Sequence, residues 1–149
     1  MDRISHAVLT IVLAFALIFG GPTVDLAAGT STGGITGKRV GRVGDSPIIG
    51  AGTYANNKTC AVSATGDGEY FLRTSCARTI AALIEYKGLP LQEASRTVLF
   101  DQIKPLGGEG GVIVLNARGE LAFTFTTEGM YRAYVTEAGE KRVLIYGDE

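Results

Sequence analysis

From residue 110 onward, apolar residues come in short runs separated by polar turns, which is the signature of hairpins. Val112–Asn116 (VIVLN), the turn Ala117-Arg118-Gly119 and Glu120–Thr126 (ELAFTFT) predict one hairpin. Tyr131–Thr136, the polar turn Glu137-Ala138-Gly139-Glu140 and Arg142–Tyr146 predict another. Upstream the period changes. Leu72, Cys76, Ile80, Leu83 and Ile84 fall near helical spacing in a run that reaches about Tyr86, and Gly88 supplies the stop. A second helix is predicted over Leu91–Ile103, opened by Pro90 and closed by Pro105. Before these, Asp25–Ser31, Pro47–Gly50 and Thr59–Ala64 read as strands. Strands, then two helices, then strands predict an α+β arrangement rather than a βαβ alternation.

The N-terminal segment does not fit this scheme. Ala7–Gly21 (AVLTIVLAFALIFGG) is an uncharged apolar run of 15 residues. A membrane-spanning helix needs about 20 residues, whereas the core of a secretory signal is about this long. The preceding MDRISH lacks a net positive charge, and no small-x-small cleavage site follows. Val8, Ile11, Val12, Phe15, Ile18 and Phe19 also suit a buried strand. Three readings stand: buried strand, signal or anchor, and a segment of foreign origin such as a reading-frame artefact. The chain therefore divides into an atypical segment, 1–24, and a domain, 25–149.

Composition narrows the chemistry. With 149 residues, a formal net charge of -1 and 46% hydrophobic content, the chain suits one globular unit. Lys38, Arg39 and Arg42 are its sole basic cluster and read as a solvated loop, so no nucleic-acid partner is expected. His6 is the single histidine, and Cys60 and Cys76 are the two cysteines. Neither cysteine belongs to a CxxC pair, so no metal site and no cofactor are expected. Both read as buried free thiols rather than a disulfide.

Glycine, at 21 residues, gathers in loops between the apolar runs. Gly33–Arg39 fails as a phosphate-binding loop, because Thr32 stands where a glycine is required and Arg39 where Ser or Thr is required. Gly50-Ala51-Gly52-Thr53-Tyr54-Ala55 approximates a dinucleotide fingerprint, but NNKTC after it opens no helix. The turn Thr65-Gly66-Asp67-Gly68 lies between a strand and a helix. It reads equally as an anion- or oxyanion-binding turn and as a plain connection capped by Asp67. Arg42 and Asp45 could grip the carboxylate and ammonium of an amino acid, or pair with each other or with solvent.

Taken together, these loops resemble the β subunit of plant-type L-asparaginases and isoaspartyl peptidases. The matching segments are LAAGTSTGGITGKRVGRVGDSPIIGAGTYANN, CAVSATGDGEYFLR, AALIEYKGLPLQEA, LGGEGGVIVL and TTEGMYRAY, which span about Asp25 to Glu149. The resemblance implies half of an αββα N-terminal-nucleophile hydrolase sandwich. It also implies a precursor that cuts itself before a threonine, whose hydroxyl is then the nucleophile and whose α-amino group is the base. The implied substrates are asparagine and isoaspartyl dipeptides.

Position by position, the resemblance implies that Thr32 orients the nucleophile, that Arg42 binds the substrate α-carboxylate and that Asp45 holds its α-ammonium. It implies an oxyanion hole at Thr65 and Gly66, with Gly44 and Gly68 in the substrate loops. It further implies an α subunit as partner, an (αβ)2 assembly and a cytoplasmic setting, although an export or anchoring role for 7–21 would change the last.

The N-terminal segment departs from the pattern. The position 18 residues before Thr32, where the family has its nucleophile, is Ala14. Thr10 is an alternative nucleophile, but it needs a four-residue insertion, follows Leu9 instead of glycine, and has nine residues ahead of its amino group. Thr23 lies too close to Thr32. The expectation is a truncated or altered β subunit with preserved substrate loops and little or no activity. The alternative is an inactive homologue that binds an aspartate-like ligand or a partner subunit.

Overall fold

The computed structural model describes residues 11–17 and 25–147. It is a mixed helix–strand structure organised around a four-stranded antiparallel sheet in the order β3 (Thr53–Ala55), β4 (Ala61–Gly66), β5 (Gly110–Leu115), β6 (Leu121–Phe125). Two two-stranded sheets accompany it. One pairs β1 (Ile11–Leu17) with β2 (Asp25–Ser31), and the other pairs β7 (Gly129–Val135) with β8 (Lys141–Tyr146). No helix among the described residues is long and apolar enough to cross a membrane.

Alternation along the strands divides the central sheet into two faces. Val62, Ala64, Val112, Val114 and Ala122 point into a core shared with the helices. That core takes Phe71 from α1 (Gly68–Thr74), Cys76, Ala77, Ile80 and Ala81 from α2 (Cys76–Lys87), and Leu91 and Ala94 from α3 (Leu91–Arg96). Val98, Leu99 and Ile103 join it from the π-helical segment Thr97–Ile103. Each large side chain buried here contributes roughly 1.5–3 kcal/mol, so this layer dominates the stability of the domain. On the opposite face, Ser63 Oγ bonds to Thr30 of β2, which also donates to Gly52 O at 2.9 Å. Farther along, Phe123 of β6 stacks on Tyr134 of β7.

Several expectations need correction. The helical run ending near Tyr86 is two helices, broken at Ser75, which adopts a left-handed conformation at φ 46°. Nearby hydroxyls compete for the backbone there. Thr74 Oγ1 donates to Tyr70 O, and Thr79 Oγ1 donates to Thr74 O at 2.7 Å. Pro47–Gly50 is a turn rather than a strand. Ile48 and Gly52 both donate to Asp45 O, curling the chain back on itself. The helix after Pro90 keeps its predicted span but widens into π-helix at Thr97 and tightens into a 3-10 turn over Lys104–Leu106. The strand reading of the N-terminal segment, by contrast, agrees with the structure over Ile11–Leu17, which pairs with β2 in a register that sets Ala14 opposite Ala28. The rest of the 1–24 segment lies outside the described residues.

Candidate functional site

The site forms where β4 ends. Gly66 pairs with Gly110 across the β4–β5 ladder, and both have strongly positive φ, +142° and +151°. A Cβ on Gly66 would come within 2.3 Å of Glu109 O, and one on Gly110 within 2.2 Å of Thr65 O, while the Phe71 ring closes the space beneath. Glycine is required at both positions on grounds of conformation and of space. The next residue locks the crossing. Asp67 N donates to Glu109 O at 2.9 Å, and Asp67 Oδ2 accepts from Glu109 N at 3.0 Å. Asp67 makes no side-chain cap on α1, so the expected capping role is replaced by this latch to the neighbouring strand.

Against this turn sits the loop carrying Arg42 and Asp45. A Cβ on Gly68 would meet Asp45 Oδ1 at 2.6 Å and Arg42 Nη2 at 3.3 Å, and a Cβ on Gly44 would meet Arg42 Nη1 at 3.0 Å. Arg42, Gly44, Asp45 and Gly68 are therefore one cluster, with the Thr65–Gly66 strand end two residues away in sequence. Asp45 is buried at 4% exposure, and its burial raises the carboxyl pKa above the ordinary aspartate value, in spite of nearby backbone N–H donors and the Arg42 charge.

Arg42 does not pair with Asp45. Its Nε donates to Glu69 Oε1 at 2.7 Å, which raises the guanidinium pKa and lowers that of Glu69. Arg42 Nη2 and Asp45 Oδ2 are both buried and without a hydrogen-bond partner. Buried polar atoms are ordinarily satisfied, which sets these two, one cationic and one anionic, apart from the rest of the cluster.

Thr65 is half-buried at the strand end. Thr32 follows β2 on an exposed stretch, and its hydroxyl accepts from Gly34 N at 3.0 Å, with no side-chain partner among the described residues. Thr10 lies outside the described residues. Glu69 went unnoticed in the sequence, because an acidic residue in a first helical turn is ordinary and nothing in the spacing links it to residue 42. Cys60 and Cys76 are buried free thiols. Burial pushes the Cys60 thiol up to about 11 and the Cys76 thiol higher still, so neither is a nucleophile at neutral pH. No cluster of three His, Cys, Asp or Glu residues able to hold a metal ion occurs among the described residues.

The family described as Asparaginase matches residues 22–145. The chain is 56% identical over 110 residues to the isoaspartyl peptidase of Salmonella typhimurium, an overlap covering 74% of this chain and 35% of that protein. It is 55% identical over 111 residues to the putative isoaspartyl peptidase/L-asparaginase of Dictyostelium discoideum, covering 74% and 32%. It is 48% identical over 120 residues to the probable isoaspartyl peptidase/L-asparaginase 2 of Arabidopsis thaliana, covering 80% and 36%. The chain belongs to the isoaspartyl peptidase/L-asparaginase family. It spans about a third of the length of these relatives.

Proposed function

We propose that this chain carries the aspartyl-recognition part of an isoaspartyl peptidase/L-asparaginase active site. Arg42 takes the α-carboxylate of the ligand and Asp45 its α-ammonium. The observation that supports this reading is the cluster over Gly68, where Arg42 Nη2 and Asp45 Oδ1 both approach, together with the buried and unpartnered state of Arg42 Nη2 and Asp45 Oδ2. With both charges held, the β-carbonyl of an asparagine or isoaspartyl group would lie toward Thr65 and Gly66. There a hydroxyl and a backbone N–H would stabilise the oxyanion that forms on attack. Gly44 and Gly68 keep the walls free of side chains.

In a complete site, a threonine oriented by Thr32 attacks that carbonyl, expels ammonia or the amine of the next residue, and leaves an acyl-enzyme that water hydrolyses to aspartate. Counting 18 residues back from Thr32 puts that threonine at Ala14, which offers no hydroxyl, and Thr10 is the alternative. The chain then acts as a β-subunit-like half of an αββα sandwich completed by an α-subunit-like partner, in an (αβ)2 assembly. A second reading, an inactive homologue that binds an aspartate-like ligand or partner through the same loops, is favoured by Ala14 itself.

Incubation of the full chain with an isoaspartyl dipeptide and with asparagine separates the two readings. Little or no aspartate release, with retained aspartate binding that Arg42→Ala abolishes, is the expected result. Release that depends on Thr10 would restore the nucleophile. Absence of aspartate binding would remove the recognition pocket.

A further inference from the structure

We propose that Glu69 is a positioning residue for this pocket, holding the Arg42 guanidinium so that Nη2 faces the ligand. The inference rests on the aspartyl-recognition reading above and assigns Glu69 a part in it. A guanidinium presents its five N–H groups in a rigid fork. One side of that fork, Nε, is bound to Glu69 Oε1 at 2.7 Å, while the guanidinium lies against Gly44, with Nη1 3.0 Å and Nη2 3.4 Å from the point where a Gly44 side chain would begin. Nη2 is what remains, buried and unpartnered, 3.3 Å from the point where a Gly68 side chain would begin.

Glu69 is itself held in place. It is the second residue of α1, directly after the turn that Asp67 ties to Glu109. The path from the β4–β5 crossing to the ligand-facing nitrogen is thus continuous: Asp67 fixes the turn, the turn sets Glu69, and Glu69 sets Arg42. An arginine without this anchor would have to be ordered by the ligand, at a cost to affinity.

Charge and positioning predict opposite signs, which makes the role testable. Removal of a carboxylate beside Arg42 makes its surroundings more positive, and charge alone would strengthen the binding of an anionic group. Positioning predicts weaker binding. The test is an NMR titration of the full chain, wild type, Glu69→Ala and Glu69→Gln, with L-aspartate and with β-alanine, which is aspartate without its α-carboxylate. A second readout without ligand is the Arg42 Nε–H resonance.

Glu69→Ala is expected to weaken aspartate binding about tenfold, the scale of one lost ordering contact. Glu69→Gln, which keeps an acceptor, should fall between, β-alanine binding should be unaffected, and the Nε–H signal should be sharp in wild type and lost in Glu69→Ala. Equal or tighter aspartate binding by Glu69→Ala, or an equal loss for β-alanine, overturns the role of Glu69 alone. A wild-type chain with a sharp Nε–H signal but no aspartate binding overturns the recognition reading, and the role of Glu69 falls with it.

Discussion

The two ends of the β4–β5 strand pair differ in how they treat polar groups. At the Ala61/Leu115 end, Asn116 is buried and bonded through both its amide oxygen and its amide nitrogen. Its Oδ1 accepts from Arg118 N and Glu120 N at 3.0 Å each, and its Nδ2 donates to Glu120 Oε2 at 2.6 Å. A cleft of about 560 Å³ lies beside it, lined in part by Lys58, Leu89 and Arg118. At the Gly66/Gly110 end, Arg42 Nη2 and Asp45 Oδ2, of opposite charge, are buried without hydrogen-bond partners. Arg78 Nη1 and Arg132 Nε are buried without partners too. Both guanidinium groups, however, lie over aromatic rings, and among the described residues Asp45 Oδ2 is the one buried side-chain acceptor left without a partner. A cleft alone therefore says little about binding, whereas a complementary pair of unsatisfied atoms supports the proposed aspartyl ligand.

The comparison breaks altogether if the shared core is removed. Phe71 is fully buried beneath the Gly66–Gly110 crossing and packs in the core common to both ends. Phe71→Ala is expected to cost about 3–5 kcal/mol, read by urea unfolding, and to abolish aspartate binding. Gly66→Ala places a Cβ against backbone at a disfavoured φ and is expected to cost about 2–4 kcal/mol. Gly119→Ala, at the other end, has positive φ but open space, and should cost only about 1 kcal/mol. Similar losses for the two glycine variants would erase the distinction between a crowded end and an open one.

Asn116→Ala sharpens the contrast in the other direction. It strands the backbone donors of Arg118 and Glu120 and should cost about 1–3 kcal/mol, with aspartate affinity unchanged by calorimetry. The smallest effect on stability is expected from Asp45→Asn. Because burial raises the folded-state pKa of Asp45, the folded chain holds this proton more tightly than the unfolded chain. The contribution of Asp45 to stability is therefore greatest at low pH and declines as pH rises from its ordinary value through the raised one. Asp45→Asn should remove that decline in unfolding experiments across acidic pH, leave the neutral-pH fold no weaker, and still lose aspartate binding. An unchanged pH slope would show that Asp45 is not the group being desolvated.

Strands with clean alternation were legible in the sequence. Asp25–Ser31 is β2, and both C-terminal hairpins fall where their polar turns place them. Breaks inside helical periodicity were not. The stop at Ser75 depends on hydroxyl-to-carbonyl bonds that spacing does not reveal, and the widening into π-helix at Thr97 falls inside a span of which Pro90 and Pro105 mark only the ends. Within the site, the Gly-rich loops and the Arg42/Asp45 spacing are visible in the sequence. That Arg42 pairs with Glu69 rather than Asp45, and that Asp67 latches to Glu109 instead of capping α1, required the fold. Both contacts join segments far apart in the chain, 27 and 42 residues respectively.

The most direct test of the central claim is a crystal structure of the full chain soaked with L-aspartate. The account predicts the α-carboxylate on Arg42 Nη2 and the α-ammonium on Asp45 Oδ2, with the side-chain carboxylate toward Thr65 and Gly66. An aspartate bound elsewhere, or Arg42 turned to pair directly with Asp45 so that neither atom remains open, would contradict it.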